Sequence, residues 1–126
     1  MARDALAAAE AVTASDLTLL ECDRALIRGV VTGDVAPAEA VRLRGLLNRA
    51  ALHWNLLRID GEVVERARRP FPAEPLRALD AVHLASALIA AANVPGLALL
   101  SFDHRIRRAA QQLGLSLVPV RGVAPA

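Results

Sequence analysis

The chain has 126 residues, 55% of them hydrophobic, with two Phe, one Trp and no Tyr. That length fits one domain whose core needs no disulfide or metal staple, and the single cysteine, Cys22, excludes an internal disulfide and a cysteine-based zinc site. All fifteen basic residues are arginine, yet thirteen acids leave a formal charge of only +2, which permits a nucleic-acid partner without demanding one.

The Ala- and Leu-rich composition favours close helix packing over an aromatic-rich β-sandwich. No apolar run reaches the roughly 18 to 20 residues of a membrane span, since Asp80 and His83 interrupt the longest one. Arg3, Asp4 and Glu10 leave no apolar segment for a signal peptide. The sequence therefore predicts a cytoplasmic protein with no membrane association, and its single thiol fits a reducing compartment.

In chain order, Arg3 to Glu10 reads as the tail of a helix and Ala11 to Ala14 as a short strand, with Ser15 or Asp16 placed to cap the next helix. Leu19, Leu20, Leu26, Ile27 and Val30 recur at helical spacing within Leu17 to Val31, and Gly33–Asp34 ends that helix. Pro37 opens another helix, which runs to about Leu52. HWNLLRI, from His53 to Ile59, reads as a strand, and Asp60 to Arg69 as a short helix. Pro70, Pro72 and Pro75 form a stiff connector too short to separate domains. A helix around Asp80 ends near Asn93, and after it come a strand at Leu97 to Ser101, a helix at Asp103 to Leu113 and a last strand at Leu115 to Val118. Strands alternating with helices predict an α/β fold: a parallel sheet covered by helices on both faces, with ligands bound beyond the carboxyl ends of the strands.

Three acids leave or follow those strand ends. Asp103 follows LALLS closely, where it can cap the helix HRIRRAAQQLG, project into a crevice, or do both. Glu21 shares a helix face with Leu17 and Ala25, which points it inward or along a cleft edge; the alternative is a solvated residue paired with Arg24 or Arg28. Asp80 has Leu76 and Leu84 four residues away on either side, in the apolar stretch LRALDAVHLASALIAA. A carboxylate on such a face must neutralise, pair or bind a cation, and Arg77 is the available structural partner. Three acids around one crevice repel one another unless a cation sits among them, and all-oxygen ligation suits Mg²⁺ or Mn²⁺.

The segments TASDLTLLECDRAL, LRALDAVHLASAL and LLSFDHRIRRAAQQLGL resemble, in order and over nearly the whole chain, three motif regions of PIN domains. They are most like the small toxins of VapBC toxin–antitoxin pairs. The resemblance implies a three-layer α/β/α domain and a metal-dependent ribonuclease, with Glu21, Asp80 and Asp103 as ligands to Mg²⁺ or Mn²⁺. Ser101 matches the Ser or Thr that commonly precedes the last acid by two residues. The resemblance also implies an RNA substrate, a homodimer, and an antitoxin that covers the crevice. PIN domains begin with a central strand of the type Asp-(Ser/Thr)-(Ser/Asn)-x-Leu whose Asp is a further ligand, and no such stretch occurs here. Asp4 lies in a helical context and does not match it. The expectation is thus a PIN-like domain without its first strand, either an enzyme or a catalytically inactive module that binds an antitoxin or itself.

Other residues have two readings each. His83, one turn from Asp80, is a packed histidine that could steady the Asp80 carboxylate. Arg105, Arg107 and Arg108 follow Asp103 and could bind RNA phosphate or form a solvated helix face; the solvated face is slightly favoured for Arg107 and Arg108, and Arg77 and Arg105 are the better placed phosphate candidates. Arg66, Arg68 and Arg69 complement a helix C-terminus, Trp54 reads as packing, and Cys22 as an inert thiol. No Gly-rich phosphate loop supports an unrelated nucleotide-binding domain.

Overall fold

A computed structural model describes residues 2–120 and shows two compact units. One comprises Ala11–Arg58; the other is formed by the described residues before and after that segment.

In the Ala11–Arg58 unit, β1 (Thr13–Ser15) leads directly into α2 (Asp16–Thr32), the helix α1 (Ala2–Ala8) having preceded both. Ser15 caps α2: its Oγ accepts a hydrogen bond from the Leu17 N–H at 2.9 Å, satisfying one of the helix's open donors. Gly33 ends α2 with φ 82°, a left-handed conformation that costs glycine little, and its N–H donates to the Val30 carbonyl. The chain turns back close to the helix, where a Cβ on Gly29 would lie 2.7 Å from Cγ2 of Val35. Pro37 then opens α3 (Pro37–Ala51), which packs along α2 with an ion pair between Asp23 and Arg44 at 3.2 Å. β2 (Asn55–Leu57) pairs parallel with β1, Thr13 opposite Asn55.

The second unit contains the larger core. Asp60 caps α4 (Gly61–Ala67) through Oδ1, which accepts from the Val63 N–H at 3.1 Å. Arg66 hydrogen-bonds the carbonyls of Arg69 and Pro70 and stacks its guanidinium 4.1 Å from the centre of the Phe71 ring. Arg66 stands in the last turn of α4, where the sequence places it, and its bonds reach carbonyls beyond the helix end. α5 (Ala78–Asn93) packs on α4 and on α6 (His104–Gln112). Val63, Phe71, Ala81, Leu84, Ala85, Ile106, Ala109 and Ala110 form one contiguous buried cluster. Alanine at four of these positions lets the helices approach closely, as the composition suggests.

β3 (Ala98–Leu100), α6 and β4 (Ser116–Val118) make a parallel βαβ unit, Ala98 opposite Ser116. The fold is thus α/β with parallel pairing, as expected, in two two-stranded ladders, β1–β2 and β3–β4. The strands are shorter than their apolar runs: HWNLLRI yields only Asn55–Leu57. Ladder length is set by where a neighbour supplies backbone partners, which hydrophobicity alone does not show.

Candidate functional site

The carboxyl end of β3 carries the best defined part of the site. After Leu100 the chain leaves the ladder through Ser101 and Phe102 to Asp103, the N-cap of α6. Asp103 Oδ1 accepts from the N–H groups of Arg105 at 2.8 Å and Ile106 at 3.1 Å. Ser101 Oγ in turn accepts from the Asp103 N–H at 3.2 Å, so this serine orders the turn that presents the acid. Capping and exposure coincide at Asp103: both bonds use Oδ1, and the residue is exposed.

The same strand end is tied down by Arg107, for which the sequence predicts a solvated face. It is half-buried instead. Its Nη1 donates to the carbonyls of Ser101 at 2.8 Å and Val118 at 3.2 Å, and its Nη2 to that of Pro119 at 2.8 Å. A planar guanidinium with a fork of donors can bridge both strand ends at once. Nothing local in the sequence signals this, because Val118 and Pro119 lie 11 and 12 residues away.

Asp80 differs from its expected setting. α5 begins at Ala78, so Asp80 stands in the first turn rather than mid-helix, and it is half-buried. A carboxylate there is stabilised by the positive end of the helix dipole, by about 0.3 to 1 kcal/mol, which lessens the burial cost argued from the sequence. Arg77 is the N-cap residue, exposed, and makes no ion pair with Asp80 among the described residues. His83 is half-buried one turn further along. Glu21, on the second turn of α2, is exposed, as is Arg105.

Glu21 belongs to one unit, Asp80 and Asp103 to the other. Among the described residues, no three His, Cys, Asp or Glu side chains gather closely enough to hold a metal ion together. In donor type the two acids of the second unit suit a hard cation: both are carboxylates, and each stands at the start of a helix.

The sequence model of the PIN domain matches residues 1–112. Ribonuclease VapC35 of Mycobacterium tuberculosis is 31% identical over 102 residues, 76% of this chain and 76% of that protein. The chain belongs to the PIN-domain family and is of VapC type. A second relative, Ribonuclease VapC46 of the same species, is 39% identical over 80 residues, 64% of this chain and 58% of the relative.

In this PIN domain the thiol of Cys22 is half-buried, and burial pushes its pKa up, helped by the charges of Asp23 and then Glu21. The protonated thiol that results is a poor nucleophile, in keeping with an inert role. No helix among the described residues is long and apolar enough to cross a membrane.

Proposed function

We propose that this PIN domain is a Mg²⁺- or Mn²⁺-dependent endoribonuclease, the toxin of a toxin–antitoxin pair, acting in the cytoplasm. The observation that carries the reading is Asp103. It sits at the carboxyl end of a parallel strand, held by Ser101 and by the first turn of α6, within the segment that resembles a motif region of the family. The names of the relatives, both ribonucleases, agree with it. Glu21, Asp80 and Asp103 are the proposed ligands, with Ser101 and His83 supporting them and Arg77 and Arg105 near the RNA phosphates. The two units are read together as one domain, since the family match runs through both.

A divalent cation held by these acids would polarise the phosphoryl oxygen and supply hydroxide at neutral pH. The chain's own residues are proposed to place the acids and hold the RNA strand. Incubating the purified chain with RNA in Mn²⁺ is expected to give cleavage that EDTA abolishes and Asp80→Asn reduces at least a hundredfold. Cleavage that persists in EDTA, or an Asp80→Asn chain as active as the wild type, removes the metal reading.

A second reading, a non-catalytic module that binds an antitoxin or a second copy of itself, is favoured by apolar exposure on α2 and α3. Val31 is 81% and Val41 74% exposed. A homodimer is proposed under either reading. Metal-dependent RNA cleavage by the purified chain sets the non-catalytic module aside.

A further inference from the structure

α6 has a charge pattern that its own stability does not explain. Its sequence, HRIRRAAQQ, carries Arg105, Arg107 and Arg108 in the first five positions and no acid anywhere. Helices favour acids in the first turn and cations in the last, so these arginines sit at the end where the dipole opposes them. Only the cap, Asp103, offsets them locally. The strand-end bonds account for Arg107, but Arg105 and Arg108 make no ion pair among the described residues, and such departures from a local rule are where function is to be sought.

The exposed side of α6 forms, with β4, a shallow groove of about 410 Å³ lined by His104, Arg107, Arg108, Gln111 and Leu117. Among the described residues, no carboxylate lines it. The contrast lies in the same unit: the groove between α4 and α5 mixes Glu62 and Glu65 with Arg66 and Arg69, so its charges balance. In the α6 groove the cations differ in kind. Arg107 spends three of its five N–H donors on strand-end carbonyls, which fixes its position without neutralising its charge. Arg108, the next residue in the same groove, is exposed and makes no ion pair among the described residues. Gln111, one turn on, brings an amide that can both donate and accept.

We propose that this α6–β4 groove holds the phosphate backbone of the RNA strand, with Arg107 as a preorganised cation and Arg108 and Gln111 as direct contacts. The proposal rests on the ribonuclease reading and assigns the strand a track beyond the Arg77 and Arg105 that the sequence favours. An open groove whose formal charges are the two arginines suits a polyanion, whereas a small anion would need enclosure to be retained. His104, which follows Asp103 directly, lines the groove, so one end of the groove lies beside the residue next to that acid. Fixing a charge in advance also lowers the ordering cost of binding.

The test is fluorescence anisotropy of a labelled 20-nucleotide single-stranded RNA with the full chain, in EDTA, from 50 to 300 mM NaCl. Arg108→Ala is expected to weaken binding about fivefold at low salt, the worth of one exposed ion pair. It should also lower the salt slope by about 0.7, the signature of one lost phosphate contact on a single strand. Arg108→Lys should keep the slope, and Gln111→Ala should weaken binding without changing it. Arg68→Ala, an exposed arginine paired with Glu65 at 3.6 Å, serves as the control and should behave as wild type. Wild-type binding with an unchanged Arg108→Ala, or an equal loss in Arg68→Ala, overturns the groove and leaves the ribonuclease reading standing. A wild-type chain that binds no RNA at 50 mM salt overturns both.

Discussion

Asp103 combines two tasks that a substitution can separate. Its Oδ1 takes two backbone N–H groups at the start of α6, and an asparagine oxygen does that almost as well. Asp103→Asn should therefore unfold in urea within about 1 kcal/mol of wild type, losing only the favourable charge at the helix end. Asp103→Ala removes the cap and should cost about 1 to 2 kcal/mol. If the acid also ligates metal, Asp103→Asn abolishes metal-dependent cleavage while keeping its stability. An Asp103→Asn chain that still cleaves at the wild-type rate leaves Asp103 a cap and nothing more.

The elements show why some features were legible in the sequence and others were not. Pro37 at the start of α3, Gly33 at the end of α2 and Asp60 before α4 act through neighbours a few residues away, so their patterns fix helix ends closely. The start of α5 lacks such a signal: Arg77 makes no side-chain cap bond, and Leu76, four residues before Asp80, extends the helical apolar spacing past the true start. That concealed the first-turn position of Asp80. Arg107 was illegible for a different reason, since its partners meet only once β3, α6 and β4 have assembled. Its clamp should depend on shape as well as charge. Arg107→Ala strands the carbonyls of Ser101 and Pro119, that of Val118 keeping the Ser101 N–H, and is expected to lower stability by about 2 kcal/mol in thermal or urea unfolding. Arg107→Lys should recover less than half of that, because an ammonium cannot span the same fork of acceptors. Full recovery by lysine would mean that charge alone holds the strand ends.

Across the molecule, stability is unevenly distributed. The unit containing α4, α5 and α6 buries a contiguous cluster in which Leu84, Ala85, Ala109 and Ala110 are fully enclosed. Within Ala11–Arg58, Leu17 is the one buried hydrophobic residue among the described residues. α3 has no buried residue at all, and Leu20, Val31, Val41 and Leu52 stay more than half exposed. Local opening costs least where few apolar contacts must be broken, so backbone amides there should exchange fastest. In hydrogen exchange followed by mass spectrometry, peptides covering Ala81–Ala90 and Ile106–Ala110 are expected to be the slowest. Those covering α2 and α3 should exchange at least tenfold faster in the chain alone. If the proposed protein partner docks on exposed apolar surface, α2 and α3 offer it Leu20, Val31 and Val41. Binding there would then slow exchange in α2 and α3 far more than in α5, since the former carry more of the exposed apolar surface, α5 having Leu79 alone among its large hydrophobic residues. Equal protection of the two units in the isolated chain would show that α2 and α3 are already stabilised without a partner, and the case for docking there would lose its energetic basis.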